Sequence, residues 1–202
     1  AQEARTFDDA LRSAMERGRF RVVQTDSDRL EEATRAFEEA LGVERVSFDH
    51  QVWAAIQAIA ARDGFDLEVV VEADRAGPEH GEDWTQLRGV VEEAARTVID
   101  RILAARERPQ LVLHAGALAR FGLEGPLQHL VERSDQDEGA SVLLLLPAHR
   151  DGQAPSINNR LPVPTLPAQR LRLPEAWLKN EHRAPRPDGL PTGHGLDAEA
   201  PS

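Results

Sequence analysis

The chain has 202 residues and carries 24 basic against 35 acidic side chains, a net charge of −11. That length suits one α/β domain with a tail, and its longest apolar run, at 142–148, is far short of the roughly 18–20 residues a membrane span needs. With no cysteine and no tyrosine, the composition excludes a disulfide framework, a thiolate zinc site and a cysteine nucleophile, and it disfavours general nucleic-acid binding, which needs a basic field and stacking surfaces.

Residues 5–17 have a helical period, with Phe7, Leu11 and Met15 on one face and Thr6, Asp8 and Asp9 at its start. This segment, 1–18, is expected to be an N-terminal helix or linker ahead of an α/β domain over 19–180. A first strand is expected at 20–24, followed by Thr25-Asp26-Ser27-Asp28 as a cap for a helix over 27–41. Leu30, Ala33, Phe37 and Leu41 share one face of that helix. The unit then repeats: a strand at 43–46 and a helix over 49–62, capped by Ser47 or Asp49, with the stripe Val52, Trp53, Ile56, Ile59 and Ala60.

L-E-V-V-V at 67–71 reads as a third strand, and 76–83 as a loop. The long helix over 84–107 keeps its apolar period from Trp84 to Ile102. A strand at 110–114, short helices over 116–121 and 124–134, a turn at 135–139 and a fully apolar strand at 141–146 follow. Prolines 155, 162, 164, 167 and 174 suit an edge strand or surface strap, and 173–178 a short closing helix. From 181 onward there is no apolar period, and the segment is expected to be a disordered Pro/Gly-rich tail. Alternating strands and helices predict an α/β fold: a mostly parallel sheet of about five strands with helices on both faces, Rossmann-like or P-loop-like in its three layers.

The usual chemical signatures are absent. There is no G-x-x-x-x-G-K-[ST], no strand-linked G-x-G-x-x-G, no G-x-S-x-G, no H-E-x-x-H and no kinase catalytic-loop motif. What remains lies at the expected carboxyl edge of the sheet, where α/β proteins bind ligands. Asp26 and Asp28 follow the first strand, Glu72 and Asp74 the third, His114 the fourth and His149 the fifth. Carboxylates with an imidazole could hold a divalent cation or move protons, but each also has an ordinary role as a helix cap or loop residue. Arg120, in the short helix after His114, completes the candidate binding set. Arg160, Arg170 and Arg172 form a local basic strip, and Glu79 and His80 a polar loop. No catalytic residue, resident metal or cofactor is implied.

The second half carries a longer pattern. It runs R-P-Q-L-V-L-H-A-G-A-L-A-R-F-G at 108–122, L-Q-H-L-V-E-R at 127–133 and S-V-L-L-L-L-P at 141–147, then L-P-V-P at 161–164 and L-P-E-A-W-L at 173–178. This resembles the C-terminal α/β region of the large proteins of type 2 bacteriophage-exclusion (BREX) systems, the phage-growth-limitation serine/threonine kinase PglW and the ATPase PglY. The resemblance spans 20–180, more loosely in its first half, where E-V-V-V-E-A-D-R-A at 68–76 precedes the long helix. It implies a bacterial, cytoplasmic, non-catalytic accessory or interaction domain whose partners are other subunits or domains of a defence complex; the composition separately argues against a membrane span and disfavours direct nucleic-acid contact. The resemblance carries over no catalytic residue, since the parent kinase and ATPase motifs lie elsewhere in those proteins. A start at Ala1 is in keeping with a fragment of a longer chain. The alternatives are a small metal-dependent α/β enzyme using the acidic strand-edge groups, or a degenerate nucleotide-binding domain.

Overall fold

A computed structural model describes residues 2–16, 19–78, 81–136, 139–148 and 154–179. His149, Glu79, His80, residues 137 and 138 of the expected turn, and the tail from 181 lie outside the described residues.

Five strands form one parallel sheet: β1 (Phe20–Asp26), β2 (Glu44–Ser47), β3 (Gln110–Leu113), β4 (Val142–Ala148) and β7 (Arg170–Arg172), in the order β2-β3-β4-β1-β7. A separate antiparallel pair, β5 (Ser156–Ile157) and β6 (Leu161–Pro162), closes a tight hairpin. Asn158 and Asn159 turn that hairpin with φ of 50° and 56°, the left-handed region that asparagine tolerates better than most residues.

Side chains alternate across each strand, so the sheet has two apolar faces. Val22, Val112, Val142, Leu144 and Leu146 join one cluster with α3 (Phe48–Asp63), α5 (Gly81–Ala104), α6 (Gly116–Arg120) and α7 (Glu124–Ser134). Val23, Leu111, Leu113, Leu143 and Leu145 join the other with α1 (Gln2–Glu16), α2 (Leu30–Leu41) and α8 (Glu175–Leu178). The run at 142–146 is therefore apolar throughout because β4 is covered on both sides. A 3-10 turn at Ser27–Arg29 joins β1 to α2, which ends at Gly42 in the left-handed conformation.

The expected α/β architecture holds, and so does the number of strands in the main sheet, but one member differs. The segment 67–71 is not a strand. It opens the helix α4 (Leu67–Ala76), and the fifth strand is β7, from the proline-spaced segment. Asp66 caps α4 by accepting the Glu68 N–H at 2.9 Å. Leu67, Val70 and Ala73 face the core at helical spacing, while Val69 and Val71 are exposed. A valine run favours a strand locally, but α4 takes its conformation from the cap and from packing against α5. Helix α5 also begins earlier than expected, at Gly81.

Helix α1 buries Ala4, Phe7, Leu11 and Ala14 against the sheet. No helix among the described residues is long and apolar enough to cross a membrane.

Candidate functional site

The carboxyl ends of β2 and β3 lie side by side, with Ser47 registered against Leu113. Each strand runs straight into a helix, α3 after β2 and α6 after β3. His114 makes the second turn possible by adopting φ of 51°, and its carbonyl accepts the Asp49 N–H at 2.9 Å. Its Nδ1 lies 3.3 Å from the Ser47 hydroxyl.

Asp49, in the first turn of α3, reaches across to α6. Its two carboxylate oxygens accept the Gly116 N–H at 3.0 Å and the Ala117 N–H at 2.8 Å. It thus caps the neighbouring helix as well as sitting in its own first turn. Burial pushes the Asp49 carboxyl above the usual aspartate range, opposed by those two amides and by nearby His114. Gly116 is needed for this approach: a Cβ there would lie 2.9 Å from the Asp49 carboxylate and 3.2 Å from the Asn158 amide nitrogen.

Next to this cap lies a cleft of about 640 Å³, bounded by α3, α4, α5, α6 and the β5–β6 hairpin. Val52, Ile56, Val70, Leu87 and Val91 supply its apolar lining; Asp49, Asp74, Arg120, Asn158 and Arg160 supply its polar groups. Arg120 donates from Nε to the Asp74 carboxylate at 2.7 Å and from a terminal nitrogen to the Asp74 carbonyl at 3.0 Å. Its guanidinium also lies 5.8 Å from the Trp84 ring and 5.9 Å from the Phe121 ring, which stack on each other at 4.8 Å. The pair thus ties α4 to α6.

Of the candidate residues, Asp74 and Arg120 meet in this cleft. Glu72 and Asp74 do not follow a strand; both lie on α4, and Glu72 is exposed. Asp26 ends β1 and pairs with Arg172 of β7, while Asp28 lies in the following 3-10 turn. His114 follows β3, and β4 lies between β3 and β1. Among the described residues no three carboxylates or imidazoles group as a cation would require. The basic strip also divides: Arg170 donates to the Thr165 carbonyl at 2.6 Å, Arg172 pairs with Asp26, and Arg160 lines the cleft.

Asp49, Trp53 and Asn158 enter the site without having been singled out as binding residues, and Arg160 enters it from the basic strip. Trp53, expected in the apolar stripe of α3 with Val52, Ile56, Ile59 and Ala60, is instead 38% exposed on the margin of that stripe, roughly 20° beyond Ala60, and lines the cleft. The convergence of Asp49 with Gly116, and of both with Asn158, joins three distant segments and has no local signal.

No family profile matches the chain, and neither the curated proteins nor the solved structures contain a match.

Proposed function

We propose that this chain is a non-catalytic interaction domain of a bacterial phage-defence protein, of the type 2 BREX kinase or ATPase kind. The observation that carries the non-catalytic part is how the carboxylates of the cleft and of the β1 end are used. Asp49 is spent on two backbone amides, Asp74 on Arg120 and Asp26 on Arg172. Each does structural work, and the nearby hydroxyl–imidazole contact, Ser47 with His114 Nδ1 at 3.3 Å, has no carboxylate hydrogen-bonded to the imidazole among the described residues. The defence assignment is supported by the pattern at 108–178, whose segments supply β3, α6, α7, β4, β6 and α8 of one continuous domain.

The nucleotide reading draws less support. The connection leaving β1, where a phosphate-cradling loop would stand, holds Asp26 and Asp28 and no glycine. Asp26 is already paired with Arg172, and Asp28 places a negative charge where a phosphate would sit.

The test is genetic. In a phage-resistant strain carrying the gene, the codons for 108–178 are removed in frame, and phage plating is compared with the parent strain. Plating rises by orders of magnitude if the domain couples a defence complex. Unchanged plating, with the shortened protein still produced, overturns the assignment.

A further inference from the structure

The cleft beside the Asp49 cap combines an apolar lining with one guanidinium, that of Arg160, which pairs with no described residue. Arg120 is held by Asp74, and Asp49 by the α6 amides. Arg160, two residues beyond Asn158 on the β5–β6 hairpin, is exposed, and its side chain has no hydrogen-bond or ion-pair partner among the described residues. Trp53 and Val71, exposed by 38% and 41%, also line the cleft. They are two of the four large apolar side chains exposed among the described residues, so the cleft rim adds apolar surface to its lining.

We propose that the cleft is a binding site for an amphipathic carboxylate, an acyl or aromatic acid of small-molecule size. Its apolar body lies against Val52, Ile56, Val70, Leu87 and Val91, and its carboxylate pairs with Arg160, with the Asn158 amide as a second donor. Three features favour this occupant. The volume of 640 Å³ falls inside the range of roughly 300–1,000 Å³ usual for small-molecule sites. A guanidinium binds a carboxylate through two parallel N–H donors, which fixes orientation as well as charge. Asp74 pairs with Arg120 and Asp49 accepts two backbone amides, so Arg160 is the one charged group lining the cleft whose side chain has no hydrogen-bond or ion-pair partner among the described residues. An amine headgroup would be repelled by Arg160 and would have to compete with Arg120 for Asp74 and with two backbone amides for Asp49.

The probe is decanoate, titrated into the full chain by calorimetry below its micelle concentration, with decanol and decylamine as uncharged and cationic controls. Saturable single-site binding of decanoate is expected, tighter than that of either control. Arg160→Ala weakens decanoate by at least about tenfold and leaves decanol unchanged, while Arg160→Lys recovers part of the loss. Val71→Glu, at a 41% exposed position on the cleft wall, also weakens decanoate by adding a negative charge beside it. The proposal is overturned if decanoate gives no saturable heat, if decanol or decylamine binds as tightly, or if Arg160→Ala, with an unchanged melting temperature, binds decanoate as the parent does.

Discussion

At the scale of single residues, Asp49 does more for this region than its position in the sequence suggests. A carboxylate in the first turn of a helix is ordinary, but this one faces a second helix and supplies both of its first free amides with acceptors. Burial raises its folded-state pKa above the reference value of 3.8. A raised carboxyl pKa means that the folded chain holds the proton more tightly than the unfolded one. Its stability contribution is therefore fully present below the unfolded pKa and is lost as pH rises through the folded pKa. Asp49→Asn removes that titration and leaves one amide facing an NH₂ group, at a cost of about 1–3 kcal/mol. The stability difference between parent and variant, from urea unfolding, should shrink as pH is raised from about 3 to about 7. A difference that grows over that span would show that the two amides outweigh burial.

At the scale of elements, α4 is where local preference and tertiary context disagree. Its three consecutive valines have strand character, and only Val70 is buried among them. The helix stands on the Asp66 cap, on its packing against α5 and on the Asp74–Arg120 pair. It is flanked by Gly64 and Gly77, both with φ near 76°. Backbone amides of 70–73 should therefore exchange with deuterium at least about tenfold faster than those of 94–98 in α5, whose apolar side chains are almost fully buried. Equal protection would mean that α4 opens only with the whole domain. The other helices were legible because their apolar stripes repeat over several turns; α5, from Leu87 to Ile102, is the clearest. At α4 the stripe is Leu67, Val70 and Ala73, too short to stand out against the valines around it.

At the scale of the molecule, the two ends of the described chain are fastened together under the sheet. Trp177 of the closing helix is 1% exposed and packs on Phe7 of α1 at 5.5 Å and Phe37 of α2 at 5.0 Å. Its indole N–H donates to Asp8 at 3.0 Å. Trp177→Ala should cost about 3–5 kcal/mol in urea unfolding, since it empties a large site walled by three helices; a loss under about 1 kcal/mol would show that α1 and α8 close over the gap. By itself the sequence determined the class of fold, four of the five strands in the main sheet and nearly every helix, because apolar periodicity and caps act over a few residues. It also determined that no standard catalytic motif is present. Only the tertiary structure decided that 67–71 is a helix, that 170–172 completes the sheet, and that Asp49, Gly116 and Asn158 meet beside an apolar cleft. Those outcomes depend on contacts between segments far apart in the chain, whose energies no local window contains.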